Sequence, residues 1–453
     1  MRKKIALISE HASPLATLGG VDAGGQNVYV AELAKYLSRL GFDIDVFTRR
    51  EDQEVADVVN WMPGVRVIHV LAGPPKVIAK EELLPYMTGF RKFMMDFMEE
   101  KDIQYDLVHA NFWMSALVAM ELKEIIGIPY VITFHALGHV RRIYQRSDDK
   151  FPPERVVIEE DVARYADRVI AECPQDRDDL IKYYHVDPAK ISIIPCGFCP
   201  DEFYPVNSSF ARSLLGLDQK EHIILQLGRM VPRKGVDNVI RSLSRLKNNI
   251  RKLRLLIVGG ESIHPDPLMC PEIGRLQAIA EEEGVEAKVS FAGRRSRDLL
   301  KYYYSAADVF VTTPWYEPFG ITPLESMACG TPVIGSDVGG IKYSVKDGQT
   351  GFLVPPNDTD ALAGKINKLI SDPLLIRKMK ANALQRVHTF FTWARVADLV
   401  NELYCSVFDS SVFDQRPINP IVPKNILPVI NISDRSGIAG RKSNLFNRPS
   451  TNS

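Results

Sequence analysis

Short apolar runs alternate with longer amphipathic stretches along most of this chain, and the alternation occurs twice. Strands that alternate with helices form parallel sheets with helices on both faces. The sequence therefore predicts an α/β fold with two Rossmann-like, doubly wound parallel-sheet domains that face a central cleft. The runs that fit strands are residues 5–9, 43–48, 65–70, 107–110, 130–134, 169–171 and 191–194, then 222–227, 253–258, 288–291, 309–313 and 332–335.

The interval between the two series of runs suggests where the domains divide. Residues 201–220 contain Pro, Asn and Ser and predict a linker. We expect an N-terminal domain over residues 1–200, a C-terminal domain over 201–388, and a helix over 389–408 that crosses back to the first domain. Residues 409–453 show little periodicity, which predicts a flexible tail.

The bulk composition argues against several classes of protein. The 453 residues are 45% hydrophobic and 25% charged, which is typical of a globular protein. Lys plus Arg and Asp plus Glu each number 56, and this balance argues against a nucleic-acid partner. No run approaches the ~18 apolar residues of a transmembrane segment. Six scattered cysteines, including the lone C-x-x-C at Cys196 and Cys199, indicate a cytoplasmic protein without a zinc site.

A glycine-rich segment follows the first predicted strand. It reads Gly-Gly-Val-Asp-Ala-Gly-Gly-Gln-Asn from Gly19 to Asn27 and leads into a predicted helix. Glycines let backbone N–H groups approach an anion closely, and the N-terminus of a helix favours negative charge. The segment lacks the G-x-G-x-x-G pattern of dinucleotide sites. Gly24 and Gly25 therefore indicate a phosphate-binding turn, with close packing alone as the alternative.

Three cations follow the first strand of the second series. The segment Gly228-Arg229-Met-Val-Pro-Arg233-Lys234 begins where the run 222–227 ends. Cations at the carboxyl end of a strand can neutralise a diphosphate leaving group. Charge runs are usually solvated surface, but the position beside the predicted cleft favours a functional role for Arg229 and Lys234.

Two carboxylates bracket a glycine turn after the run 309–313. The segment from Tyr316 to Glu325 reads Tyr-Glu-Pro-Phe-Gly-Ile-Thr-Pro-Leu-Glu. Gly320 permits a turn into a helix whose first N–H groups can bind phosphate oxygens. Glu325, about one turn into that helix, can accept hydrogen bonds from two ribose hydroxyls. Glu317 can contact a sugar on the other side of the phosphates, although a carboxylate here can also simply complement the helix dipole.

Two histidines stand at the ends of predicted strands and therefore beside the cleft. His109 closes the run that begins at residue 107, and His135 follows the run 130–134. A structural hydrogen-bonding role and an active-site role fit either histidine equally well.

Taken together, these motifs resemble those of the family-four retaining glycosyltransferases, which have the GT-B fold. The family includes sucrose-phosphate synthase and the inositol-phosphate N-acetylglucosaminyltransferase of mycothiol synthesis. The resemblance covers about residues 1–405. It implies a hexosyltransferase of carbohydrate biosynthesis that moves a hexosyl group from a UDP- or GDP-sugar to a hydroxyl group of a small-molecule or lipid-linked acceptor. It also implies retention of anomeric configuration by front-face attack, without a metal or another cofactor.

The resemblance assigns the acceptor to the first domain, the nucleotide-sugar to the second, and a role to individual residues. Arg229 and Lys234 would stabilise the leaving diphosphate. His135 would contact the donor sugar, Glu317 would hold its hydroxyls, and Glu325 would hold the ribose. The implied catalytic residues are His135, Arg229, Lys234 and Glu317, and the implied donor-binding residues are Gly24, Gly25, Arg229, Lys234, Glu317, Phe319, Gly320, Ile321, Thr322 and Glu325.

The acceptor side departs from the mycothiol enzyme, which binds its inositol phosphate through a Lys, a Tyr, a Thr and an Arg. Lys80 and Arg155 match that set, whereas Phe112 and Ala136 replace the Tyr and the Thr. The resemblance thus implies an acceptor site with Asn27, Lys80, Phe112 and Arg155. Because two hydroxyls are missing, it speaks against inositol phosphate and leaves other phosphorylated acceptors open.

Three other functions need to be distinguished from glycosyl transfer. A sugar-nucleotide epimerase or hydrolase would have the same fold and would turn over a donor without an acceptor. A dinucleotide-dependent oxidoreductase would require the G-x-G-x-x-G pattern, which the first turn lacks. A non-catalytic nucleotide-sugar-binding protein would not need the full set of Arg229, Lys234, Glu317 and Glu325.

Overall fold

The computed structural model describes residues 2–16, 24–246 and 252–413, which contain two separate β-sheets. The first sheet has the strand order β3-β4-β2-β1-β5-β6-β7-β8, and its pairs are parallel except for the antiparallel pair of β3 with β4. Its strands are β1 (Lys4–Ile8), β2 (Asp43–Arg49), β3 (Val58–Met62), β4 (Val65–Val70), β5 (Leu107–Asn111), β6 (Tyr130–Thr133), β7 (Arg168–Ala171) and β8 (Ile191–Ile193).

The second sheet is parallel throughout and has the order β11-β10-β9-β12-β13-β14. In both sheets the strand order reverses beside the first strand, which is the arrangement that creates a crevice at the carboxyl ends of the strands. The strands are β9 (His222–Leu227), β10 (Leu253–Val258), β11 (Val289–Gly293), β12 (Val309–Thr312), β13 (Val333–Ser336) and β14 (Gly351–Val354).

Helices connect the strands and cover the sheets. Those of the first half are α1 (Gly25–Arg39), α2 (Met87–Glu100), α3 (Trp113–Ile126), α4 (Gly138–Gln145), α5 (Glu154–Tyr165) and α6 (Pro174–Tyr184). Those of the second half are α7 (Ser208–Leu214), α8 (Val236–Ser244), α9 (Pro271–Glu282), α10 (Arg297–Ala306), α11 (Thr322–Ala328), α12 (Gly339–Ser344), α13 (Thr359–Ile370), α14 (Pro373–Phe390) and α15 (Trp393–Phe413).

Both faces of the first sheet are buried, as a parallel sheet with helices on each side requires. In β1, Ile5 and Leu7 belong to one apolar core, and Ala6 and Ile8 belong to another on the opposite face. The core that contains Ile5 continues through α15 into the second sheet. The α/β, GT-B-type fold class predicted from the sequence is therefore confirmed.

The predicted strands are all present, and two further strands were not predicted. β3 is an edge strand whose residues are only half-buried, so its apolar pattern is weak. β14 has four residues and begins at Gly351, so it also gives little signal in the sequence.

The predicted linker at residues 201–220 contains a helix, which the sequence analysis did not anticipate. The side chain of Asn207 accepts a hydrogen bond from the Phe210 N–H and so caps α7. Arg212 on this helix is buried and donates to the carbonyl oxygen of Ala306 and the carboxylate of Asp308. These contacts attach the segment to the second sheet and its helices.

α15 packs against α1 of the first half. It continues to Phe413, so the segment expected to be a tail from residue 409 begins as helix, and residues 414–453 lie outside the described residues. Within the described part of the chain, no helix has the length and apolar character needed to cross a membrane.

Candidate functional site

A cleft lies between the carboxyl ends of the strands in the two sheets. It contains two adjoining cavities of about 180 and 230 Å³. The segments after β1, β4, β5, β6, β7 and β8 line one side, and the segments after β9, β10, β11 and β12 line the other. The wall shared by both cavities consists of Gly24, Gly25, Arg229, Arg233, Glu317, Gly320 and Ile321. The segments singled out from the sequence therefore meet at one place, although Gly19 to Ala23 of the glycine-rich segment lie outside the described residues.

The glycine turn opens directly onto the cations of the second half. The Gly24 N–H donates to Asn27 Oδ1 at 2.9 Å, which caps the start of α1. A Cβ added to Gly24 would lie 3.9 Å from Arg229 Nε, and one added to Gly25 would lie 3.7 Å from Ile321 Cδ1. The turn thus leaves room for a ligand between the two halves of the chain.

Lys234 and Glu317 form a contact pair at the junction of the two cavities. Burial and the neighbouring Arg233 lower the pKa of the Lys234 ammonium to about 8, despite the opposing effect of Glu317. Burial alone would raise the pKa of the Glu317 carboxyl, but Lys234 and Arg233 outweigh burial and hold that pKa at about 2. Near neutral pH the pair is therefore charged, and Glu317 is an acceptor held in place by two cations.

Gly320 and α11 place Glu325 in the second cavity. Gly320 has φ +88°, a left-handed conformation that favours glycine, and it directs the chain past the buried Phe319 into Ile321 and Thr322. Glu325 is only 3% exposed. Its two carboxylate oxygens accept from Arg297 Nη1 and from the Tyr304 hydroxyl, each at 3.0 Å, so its orientation is determined before any ligand binds.

The two histidines singled out from the sequence, His109 and His135, have different environments in the structure. His109 is fully buried, and its Nδ1 and Nε2 lie 2.7 and 2.9 Å from the hydroxyls of Tyr404 and Thr133. Burial lowers the pKa of His109 to about 3, so its imidazole is neutral and structural. His135, at φ +58°, lines the first cavity together with Gly24, Gly25 and Glu317. Of these two histidines, His135 is therefore the one that can contact a ligand in the cleft.

The acceptor-side residues predicted from the sequence fall into two groups. Asn27, Lys80 and Phe112 line the first cavity, beside Ala136. Arg155 does not, because its guanidinium is fully buried. It donates to Glu159 Oε1 and to the Ala136 carbonyl oxygen, both at 2.7 Å.

A different arginine lines the first cavity together with Lys80 and Phe112. Arg141 lines it next to Phe151, donates to Asp149 Oδ1 at 2.7 Å, and places its guanidinium 5.0 Å from the Phe151 ring. The rings of Phe112 and Phe151 lie 5.0 and 4.4 Å from the buried Arg155 guanidinium. These two rings cover Arg155 on the side of the cavity, and Arg141 and Lys80 line the cavity in addition to Arg229 and Arg233 of the shared wall.

Comparison with known proteins follows the same division of the chain. Residues 23–202 match the model of Glycosyltransferase Family 4, and residues 208–386 match that of Glycosyl transferases group 1. D-inositol 3-phosphate glycosyltransferase of Rhodococcus opacus (strain B4) is 32% identical over 410 residues, which cover 89% of this chain and 90% of that protein. The protein of the same name from Corynebacterium jeikeium (strain K411) is 34% identical over 407 residues, which cover 88% of this chain and 96% of that protein.

The chain belongs to the family 4 glycosyltransferases. It is therefore an enzyme of glycosyl transfer, as predicted, and the comparisons do not favour the epimerase alternative. Among solved structures, sucrose-phosphate synthase from Thermosynechococcus elongatus is similar to it with a TM-score of 0.82 and 35% identity, covering 90% of this chain and 100% of that one. HepE from Anabaena, solved with UDP-glucose, has a TM-score of 0.69 at 21% identity, covers 89% and 99%, and shows likeness of fold.

Several residues of this glycosyltransferase site were not predicted from its sequence. Arg297 and Tyr304 hold Glu325, and Arg141 lines the first cavity. Glu172 and Cys196 line the same cavity beside His135. Apart from Cys196, which the sequence shows only as part of the C-x-x-C, these residues belong to no local motif, so the sequence gives no signal that they meet. In the part of the chain that the structure describes, no group of three or more His, Cys, Asp or Glu side chains could hold a metal ion.

Proposed function

We propose that this glycosyltransferase moves a hexosyl group from a UDP- or GDP-sugar to an acceptor hydroxyl, with retention of anomeric configuration and without a metal. The observation that carries the proposal is the junction of the two cavities. There, Arg229 and Lys234 lie opposite the Gly24–Gly25 turn, and Glu317 and Glu325 lie on either side of the Gly320 turn.

The charges at this junction suit a nucleoside diphosphate. Arg229, Arg233 and Lys234 provide three cations, and the charges of Arg233 and Lys234 are partly offset by Glu317. Cations that already point at a leaving diphosphate stabilise the charge that develops on it. They do the work for which other enzymes use a divalent cation, and this supports the metal-independent reaction.

The two glutamates bind different parts of the donor, Glu325 the ribose and Glu317 the hexosyl group. Glu325 lies in the second cavity, where its carboxylate retains lone pairs for ribose hydroxyls beside Arg297 and Tyr304. Glu317 lines both cavities and faces the sugar from the far side of the diphosphate. His135 and Glu317 therefore enclose the hexosyl group, and the acceptor reaches it from the first cavity.

Retention follows from front-face attack. The acceptor hydroxyl approaches the anomeric carbon on the side from which the diphosphate leaves, and a donor phosphate oxygen takes up the hydroxyl proton. The acceptor oxygen forms the new bond to the anomeric carbon as the bond to the diphosphate oxygen breaks. The cations at the junction hold the diphosphate close enough to act as the base.

We assign the acceptor to the part of the first cavity that Lys80 and Arg141 line. Cations of this kind bind phosphate groups, so this part of the cavity favours an anionic small molecule. The names D-inositol 3-phosphate glycosyltransferase and sucrose-phosphate synthase each include a phosphate, which supports a phosphorylated acceptor over a neutral lipid-linked one. Phe112 and Ala136 offer no hydroxyl, which favours an acceptor other than inositol phosphate. We also propose a cytoplasmic location, supported by the six unpaired cysteines.

A panel assay tests the proposal. The full chain is incubated in EDTA with UDP- and GDP-hexoses and with hexose phosphates or inositol phosphates, and nucleotide release and the product's anomeric configuration are measured by NMR. We expect release of one nucleotide, a retained configuration, and a fall in kcat of about 100-fold or more in Lys234→Ala and Glu317→Ala. Lys190→Ala, which removes another partly buried lysine away from the cleft, is the control.

Each part of the proposal has its own contrary result. If the wild-type chain neither binds nor turns over any donor, nucleotide-sugar transfer is wrong. An inverted product contradicts retention, and activity that EDTA abolishes contradicts metal independence. Turnover that needs no acceptor and yields a free epimerised sugar would favour the epimerase instead.

A further inference from the structure

His135 and the structural His109 differ in the chemistry of their partners. Both partners of His109 are hydroxyls, which can donate or accept. His135 has Nδ1 3.1 Å from Glu172 Oε1 and Nε2 3.1 Å from Asn111 Oδ1. The amide oxygen of Asn111 and the oxygen of an ionised Glu172 can only accept a hydrogen bond from the ring.

The orientation of Asn111 follows from its own contacts. Asn111 is fully buried, and its Nδ2 donates to the carbonyl oxygens of Ile8 and His109 at 3.3 and 3.4 Å. An amide with the reverse orientation would place an oxygen against two carbonyl oxygens. Oδ1 therefore faces His135, and with Glu172 ionised both ring nitrogens of His135 carry a proton, so that each partner accepts a hydrogen bond.

A doubly protonated ring is a cation, and Glu172 is the group that balances it. Glu172 is 4% exposed and also accepts from Cys196 Sγ at 3.2 Å. Its backbone N–H donates to Asp176 Oδ2 at 3.0 Å. Both Glu172 and Cys196 line the first cavity with His135. A buried ion pair in this position has a partner for each charge, which a lone buried charge would lack.

The other buried groups of the first half that pack around His135 and Glu172 do not supply a competing charge. Burial and the charge of Glu172 raise the pKa of the Asp176 carboxyl to about 8, so Asp176 is mostly protonated near pH 7. Burial raises the pKa of the Cys196 thiol well above its usual range. His109 is neutral, and the Tyr29 ring lies edge-on to His135 at 4.8 Å. Glu172 is thus the acidic residue in hydrogen-bond contact with the His135 ring.

We propose that Glu172 is a positioning residue that, with Asn111, holds His135 as an imidazolium facing the donor sugar. The ring can then only donate a hydrogen bond, so it selects an oxygen of the sugar as its partner. The proposal rests on the proposed function, because it takes the first cavity as the place of the donor sugar. Glu172 acts through His135 and is not itself required to contact the donor.

The state of the ring can be measured without any substrate. The ¹⁵N resonances of the His135 ring, assigned with His135→Gln, are recorded in the full chain at pH 7.5. We expect an imidazolium in the wild type and a neutral tautomer in Glu172→Gln. The control is Glu160→Gln, because Glu160 also pairs with a histidine, His139, but does so at 3.6 Å in a partly exposed position away from the cavity. This control should leave the His135 resonances unchanged.

The consequence for the donor is measured by calorimetry with UDP-glucose and UDP, and with GDP-mannose and GDP. Hydrogen bonds to charged groups contribute enough for Glu172→Gln to weaken the nucleotide-sugar by about 10- to 100-fold. Binding of the free diphosphate should stay within about twofold, because it does not reach His135. In a His135→Gln background, Glu172→Gln should have no further effect on nucleotide-sugar binding.

The outcomes separate this proposal from the proposed function. A neutral His135 ring in the wild type overturns the proposal whatever the chain binds, and so does an imidazolium that persists in Glu172→Gln. Equal weakening of nucleotide-sugar and diphosphate, or an undiminished effect in the His135→Gln background, shows that Glu172 acts on the fold and not through His135. If the wild type binds no nucleotide, the proposed function fails while the ring resonances still decide the state of His135.

Discussion

The pair formed by Lys234 and Glu317 shows how burial adjusts a charge at the scale of single residues. A buried ammonium would lose its proton readily, but the contact with Glu317 retains it up to a pH of about 8. Glu317 stays ionised throughout the neutral and alkaline range, because its pKa is about 2. Of the two residues, Lys234 is thus the one that changes its protonation state near neutral to mildly alkaline pH.

This titration predicts an alkaline limit to activity. Above pH 8 the free enzyme loses the Lys234 proton and with it the stabilisation of the leaving diphosphate. We expect kcat/KM, which reports groups of the free enzyme, to fall as the pH rises through about 8. Lys234→Arg should be less active but lack this limb, because a guanidinium stays protonated. A wild-type profile that remains flat to pH 10 would contradict this role of Lys234.

Tyr304 offers a second prediction at the residue scale. Its hydroxyl donates to Glu325, and Tyr304→Phe removes that bond while Arg297 remains. We expect UDP and UDP-sugar, or their GDP counterparts, to be weakened equally by about fivefold to tenfold, since Glu325 would contact only the ribose. Tyr302→Phe, on the partly exposed face of the same helix, is the control. Weakening of the nucleotide-sugar alone would place Glu325 at the sugar instead.

Single residues also show what the sequence could and could not predict. Arg229, Lys234, Glu317 and Glu325 follow predicted strands within short motifs, so local spacing was enough to bring them to one cleft. Arg155 lies under Phe112 and Phe151, and its burial depends on packing between distant segments. The partners Arg297 and Glu172 stand far in sequence from Glu325 and His135, so their contacts arise only from the tertiary fold.

At the scale of elements, two glycine turns at the cleft have different reasons to be glycine. Gly235 has φ +64°, and a Cβ there would lie 2.0 Å from the Thr313 carbonyl oxygen, so the fold itself requires glycine. Gly25 begins α1, and a Cβ there would lie 3.7 Å from Ile321, which is an ordinary contact. The neighbouring protein atoms would therefore accommodate a side chain larger than that of glycine at position 25.

These geometries predict opposite effects for two alanine substitutions. Gly25→Ala should leave the unfolding free energy unchanged or slightly raised, because alanine favours a helix, and should weaken nucleotide binding by about tenfold or more through crowding of the ligand. Gly235→Ala should lower the unfolding free energy by about 1 to 3 kcal/mol. Unfolding by denaturant and calorimetry with UDP or GDP check both. A Gly25→Ala protein that is destabilised but binds normally would show that the turn serves packing alone.

Strong periodic elements were predictable, and weak or context-dependent ones were not. The central strands are continuous apolar runs bounded by helices, and each was located to within a few residues. β3 and β14 are short edge elements with weak patterns, and α7 is a short helix stabilised by Arg212 and its distant partners. Their structure depends on neighbours that the local sequence does not reveal.

At the scale of the whole molecule, α15 joins the end of the described chain to its beginning. Trp393, Val400 and Tyr404 are fully buried in the core shared by the first sheet and α1. The Tyr404 hydroxyl contacts His109 Nδ1, 295 residues away in sequence. The helix therefore contributes to the same core that supports the wall of the cleft.

This contact predicts a measurable loss of stability. Tyr404→Phe leaves a buried ring nitrogen of His109 without its partner, and we expect the unfolding free energy to fall by about 1 to 3 kcal/mol. Tyr302→Phe should change it little, because that tyrosine is partly exposed. Denaturant unfolding measures both variants. Equal stability of Tyr404→Phe and the wild type would show that the contact contributes nothing.

The central claim is that a nucleoside diphosphate binds where the two halves of the molecule meet. A crystal structure of the full chain with UDP or GDP tests it directly. We predict diphosphate oxygens within hydrogen-bond distance of Arg229 and Lys234, and ribose hydroxyls against Glu325. A nucleotide bound elsewhere, or none at saturating concentration, would contradict the account.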